Sequence, residues 1–221
     1  MDYRELMNAV GPRTGQTQEW VCRVLREGIT SGKLQPGMQL KQDEVSAALS
    51  VSHIPVREAL RQLEAQGLVT IHPNRGSVVT SLDRSALEDM MEIRASITYQ
   101  LAKRAVPLMT QEDFAQMQEL IEAQKQTADA FEEERLNYRF HEIITHRANN
   151  KVADMFIDLI HYNADRYLRG AFYADEARRT RSISEHQAIL DACRAGDADK
   201  ACTLLHDHIL DARNCIPENM A

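Results

Sequence analysis

Four residues in the C-terminal two thirds of this chain have the types and spacing of a metal site. Asn137 and His141 stand four residues apart in Asn137-Tyr138-Arg139-Phe140-His141, which places both on one face of a helix. His186 falls within an apolar stripe made by Ile183, Ile189, Leu190 and Cys193, and His208 lies with Leu204, Leu205 and Ala212. A buried imidazole must satisfy both ring nitrogens. Three on core-facing stripes of three helices do so together by coordinating a cation, with the Asn137 amide oxygen as a fourth ligand. The donor set suits a divalent ion, zinc first, with nickel and manganese as alternatives. The bland alternative for any one of these histidines is a hydrogen-bonded core residue. His72, His146, His161 and His206 lack partners at matching spacing and are expected on the surface or in hydrogen bonds.

A second group of residues carries a different chemistry. In residues 52–63, Val56, Ala59, Leu60 and Leu63 form an apolar back. Ser52 is placed to cap the helix, and His53, Arg57 and Arg61 project from the other side. A polar cap, basic first turns and an apolar back suit a helix that enters a DNA groove end-on, where arginine can pair with both acceptors of guanine. Leu68-Val69-Thr70-Ile71 and Ser77-Val78-Val79-Thr80 read as strands joined by His72-Pro73-Asn74-Arg75-Gly76, so that Arg75 lies at a hairpin tip. There it can reach the phosphate backbone or a narrow minor groove.

Positioning these groups requires two modest domains, for which 221 residues and 43% hydrophobic content suffice. Residues 1–16 have no clear period and read as a loose arm. Residues 17–82 give a helix capped by Thr17, two short helices and a hairpin: a winged helix-turn-helix. After Ser81 the strand signals vanish, and residues 83–214 read as six helical segments forming an all-α bundle, which the resemblance given below makes the effector and dimerisation domain. Residues 215–221 form a tail. The fold class is therefore mainly α. The net charge of -7 opposes DNA binding only if taken whole, because residues 1–80 hold 9 Lys/Arg and 8 Asp/Glu. The acidity belongs to the second domain. Cys22, Cys193, Cys202 and Cys215 form no C-x-x-C pair, and no apolar run spans a bilayer. We expect structural thiols (Cys193 and Cys202 being the alternative redox pair), a cytoplasmic location and no membrane contact.

The order Pro36-Gly37, Ser52 to Leu60, Gly67-Leu68-Val69 and Asn74-Arg75-Gly76 resembles the N-terminal domain of the GntR family of bacterial transcription regulators. His53 and Ile54 depart from it, since members usually carry arginine and threonine there. The later patterns Asn137 to His141, Glu185-His186-Gln187-Ala188-Ile189 and His208-Ile209 resemble the metal-binding pattern of the FadR-type (FCD) effector domain. Six helices suggest its VanR-type subgroup. The common first ligand of that pattern is aspartate; an asparagine binds a cation more weakly. The resemblance implies a homodimer on an inverted-repeat double-stranded operator, and a small-molecule effector.

Three imidazoles and an amide leave the cation's charge uncancelled, so a small carboxylate metabolite is the expected guest. Arg94 matches a recurrent arginine of the family and could clamp it, with Arg166 and Tyr167 as further candidates. Two other readings stay open: a regulator whose metal is itself sensed or purely structural, and a metal-dependent hydrolase fused to a DNA anchor. No nucleophile motif or phosphate loop is present, and neither Glu142 nor Glu185 is placed as an obvious general base. We therefore expect no catalytic residues.

Overall fold

A computed structural model describes residues 3–73 and 76–216, apart from the side chains of residues 165, 166 and 169–174. The chain divides into two compact units, Met1–Leu82 and Asp83–Ala221.

The first unit contains helices α1 (Tyr3–Val10), α2 (Thr17–Thr30), α3 (Gln42–Leu49) and α4 (His53–Ala65). Its strands are β1 (Gln39–Leu40), β2 (Val69–His72) and β3 (Gly76–Val79), in the order β1-β3-β2. Both pairings are antiparallel, with Leu40 opposite Ser77 and Val69 opposite Val79. The core is apolar: Val21, Leu25 and Ile29 of α2 pack with Leu34, Val56, Leu60, Leu63 and Leu68, all fully buried. Each such side chain contributes about 1.5–3 kcal/mol by leaving water. Among the described residues, α3, the turn after it and α4 form the helix-turn-helix. The turn is made by Ser50, which adopts a left-handed φ of 52°, and Val51, whose N–H reaches the Ser46 carbonyl at 3.0 Å.

The N-terminal arm is a correction. Residues 3–10 form a helix that docks on α2, because Leu6 is buried against Gly28. Gly28 has no Cβ, and one added there would lie 2.6 Å from Leu34 Cδ1 and 2.8 Å from Leu6 Cδ1. The Trp20 indole N–H donates to the Gly11 carbonyl at 3.1 Å and holds the connection. Two helical turns are too short to show a period, and the anchor is a glycine far along the chain. Thr17 begins α2 but the N-cap position belongs to Gln16, whose side chain makes no cap bond.

The second unit contains six α-helices among the described residues: α5 (Arg84–Ala105), α6 (Gln111–Gln126), α7 (Ala130–Arg147), α8 (Lys151–Ala174), α9 (Glu176–Arg194) and α10 (Ala198–Asp211). Their starts follow local chemistry. Asp83 caps α5 by accepting from Ala86 N at 2.8 Å, and Thr110 with Asp113 forms a capping box on α6. Asn149 turns the chain with φ 48°, and Asn150 caps α8. Pro107 lies in the single 3-10 turn that follows α5. The core joins Phe140, Ile144, Met117, Ile121, Ile189, Leu190 and Leu205. α5 packs on α7, α8 and α10, while α6 packs on α7 and α9. The unit runs past residue 214: Ile216 is buried, and its carbonyl accepts from Arg84 Nη1 at 3.1 Å. The rest of the expected tail, residues 217–221, lies outside the described residues.

Candidate metal centre and DNA-reading face

Three helices bring His141 (α7), His186 (α9) and His208 (α10) together. They are 6%, 0% and 9% exposed, and one ligand atom from each lies within 4.8 Å of the others. The His186 and His208 Nε2 atoms face each other at 3.2 Å. Each far nitrogen has its own partner, which orients the ring: His186 Nδ1 donates to Gln124 Oε1 at 3.0 Å and His208 Nδ1 to Glu185 Oε2 at 2.7 Å. When neither ring carries a second proton, both facing atoms are lone pairs. Burial holds the His186 imidazole well below its usual range, and repulsion from His208 in its charged form adds to it, so His186 itself stays neutral.

A cation fits it. Two nitrogens at the usual zinc bond length lie about 2.9 Å apart at a right angle and about 3.4 Å apart at the tetrahedral angle. His141 supplies a second sign, since its Nδ1 is buried with no hydrogen-bond partner among the described residues. Burial is the first cause that keeps this ring neutral, followed by repulsion from His208 and His186 in their charged forms and from Arg94. Phe140 stacks on His186 with ring centres 4.3 Å apart and closes one side of the cluster.

The other expected residues divide by position. Asn137 is half-buried one helical turn before His141 on α7. Arg94 is buried on α5 and lines the same cavity as His141, together with Thr98, Tyr138 and Thr145. From α8 that cavity receives Asp154, Ile157 and Asp158, while Tyr167, half-buried further along the helix, does not line it. The side chain of Arg166 lies outside the described residues.

Several functional neighbours carry no local signal in the sequence. Gln124 and Glu185 support the histidines. Arg179 holds the end of α6 in place, donating to the Gln124 and Thr127 carbonyls at 2.7 and 2.6 Å and to Glu133 Oε2 at 2.7 Å. His161 is buried rather than superficial; it pairs with Glu134 at 3.5 Å and stacks on Tyr138, whose hydroxyl donates to Asp158. The four cysteines are free, and burial pushes the Cys193 thiol up to about 12, which suits a structural thiol.

On the first unit, α4 buries Val56, Ala59, Leu60 and Leu63 and exposes Ser52, His53, Arg57 and Arg61. Ser52 occupies the N-cap position but its side chain makes no cap bond. His53 Nδ1 lies 3.4 Å from Asp43 Oδ1 of α3. Asn74 and Arg75 lie outside the described residues, and Gly76 beside them has φ 71°.

Taken together, a helix-turn-helix with a β-hairpin wing and a separate helical unit with a polar centre define a transcription regulator with an effector domain. Residues 17–79 match the family described as bacterial regulatory proteins, gntR family, and residues 89–211 match the FCD domain. The chain belongs to the GntR family, in its FadR-type branch. Its relatives include the HTH-type transcriptional repressor RspR of Escherichia coli, 28% identical over 89% of this chain and 87% of the relative. The galactonate operon transcriptional repressor of the same species is 26% identical over 80% and 86%. Among solved structures, E. coli McbR/YncC superposes with a TM-score of 0.76 at 25% identity, covering 90% of this chain and 95% of the other. The relatives are regulators, and the chain is a regulator rather than an enzyme. Among the described residues, no helix is long and apolar enough to cross a membrane.

Proposed function

We propose that this regulator couples operator binding to a small organic acid received beside a divalent cation in the helical unit. The observation that carries the reading is the pair of opposed Nε2 atoms at 3.2 Å, with both far nitrogens already engaged. His141, His186 and His208 would hold the ion, with the amide oxygen of Asn137 as fourth ligand. None of these ligands is anionic, so the bound cation supplies a positive charge that favours an anionic guest with oxygen donors. Arg94 adds a buried guanidinium on the same cavity, suited to a carboxylate. Zinc is the ion that best matches three imidazoles. The test is calorimetry of a panel of small carboxylic acids against zinc-loaded wild type and zinc-treated His141→Ala. Binding by the wild type alone is expected, and equal binding by both would remove the metal from recognition.

On the DNA side, Arg57 reads a guanine with help from Ser52, His53 and Arg61, while Arg75 meets phosphate or the minor groove. One recognition helix spans too few base pairs for specificity, so the working unit is a homodimer on an inverted repeat. Sedimentation at micromolar concentration should give twice the chain mass of 25.1 kDa, and a monomer protecting one half-site would overturn this.

A second reading treats the cation itself as the signal. It draws on Glu142, Asp154 and Asp158, three carboxylates lining the cavity that receives His141, which favour cations and oppose anions. Chelation alone would then change operator affinity with no acid present.

A further inference from the structure

Ile54 is the one large apolar side chain that stands exposed among the described residues of the first unit. It is 59% accessible, whereas the helix around it keeps its apolar residues inside. The core does not need it: Val56, Ala59, Leu60 and Leu63 complete the packed side of α4. At about 100° per residue Ile54 lies some 200° around the helix from Val56, away from the core. It shares its face with Arg57, three residues on, and with Glu58, and it follows the exposed His53. A β-branched side chain on a packed helix is stiff at χ1, so its methyl groups are held out at a fixed place.

This inference rests on α4 being the helix that enters the major groove. There the base edges offer hydrogen-bonding groups, with one apolar group among them, the C5 methyl of thymine. We propose that Ile54 reads a thymine by packing on that methyl, beside the guanine taken by Arg57. The chemistry explains why an apolar residue sits within an otherwise polar reading face: covering Ile54 removes water from both partners at one step and adds no unpaired polar atom.

The experiment uses the full chain and an operator obtained by repeated selection from random duplexes. Each thymine of the selected site is replaced in turn by deoxyuridine, which keeps the base pair and the O4 acceptor and removes only the methyl. Wild type should lose about four-fold in affinity at one position of a half-site, the equivalent of ~0.8 kcal/mol for one buried methyl. Ile54→Ser should bind thymine and deoxyuridine there equally, while Ile54→Val should keep most of the discrimination. Discrimination that survives in Ile54→Ser, or its absence at every thymine for wild type, would overturn the assignment. If Arg57→Ala also binds the selected site as tightly as wild type, the fault lies in placing α4 in the groove; if Arg57→Ala fails and the deoxyuridine effect is missing, it lies with Ile54 alone.

Discussion

In the first unit the candidate partner-binding side chains stand outside a mainly apolar core, whereas in the second they stand within the core. Arg57, Arg61 and His53 extend into solvent from a helix whose back is Val56, Leu60 and Leu63. His141, His186 and His208 instead lie among Phe140, Ile189 and Leu205. The proposed partners account for the difference. A duplex is too large to enclose, so the groups that meet it need only a rigid mount. A small ion or acid is bound by being surrounded, and the surrounding groups must be desolvated beforehand. The cost shows in the second unit as imidazoles held neutral by burial and a nitrogen without a hydrogen-bond partner among the described residues. Chemistry and stability are thus separable in one unit and entangled in the other.

That contrast predicts unequal responses to mutation. Phe140→Ala removes both core volume and the ring stacked on His186. It should destabilise the second unit by about 3–5 kcal/mol and weaken zinc binding with it, as thermal unfolding with and without zinc would show. Next in size, Gln124→Ala frees the His186 ring and should lower zinc affinity by roughly 10–100-fold in competition with a chelating dye. Unchanged affinity would mean that the amide does not orient the ligand. Arg57→Ala, by contrast, should cost about 1–3 kcal/mol of operator binding in a gel-shift assay. Its unfolding midpoint should match that of wild type, and a shared loss of stability would break the contrast. The smallest effect is expected from Arg75→Ala, which should reduce the salt slope of DNA binding by about one.

How far the sequence revealed this depended on the range of the interaction. The helices of the second unit were legible where a start is written locally: Asp83 and Thr110 cap within three residues of themselves. The histidines were legible too, since an apolar stripe tells which way a helix faces. Their supports were not. Gln124 and His186 are 62 residues apart, Glu185 and His208 are 23, and neither pair has a spacing rule. Glu185 shows the limit well. Sitting next to His186, it turns away from that ring and reaches the His208 of another helix. The helix α1 was missed for a similar reason, because what orders it is the missing Cβ of Gly28.

The decisive property is control of the exposed reading face by the buried histidine centre. Fluorescence anisotropy of a labelled operator would be measured with the zinc-loaded full chain while the acid identified by calorimetry is added, and then with His141→Ala. A coupling of ordinary size shifts the operator dissociation constant of the wild type by about tenfold. The His141→Ala chain should bind the operator as the acid-free wild type does and should not respond. An equal response from both chains, or none from the wild type at saturating acid, would contradict it.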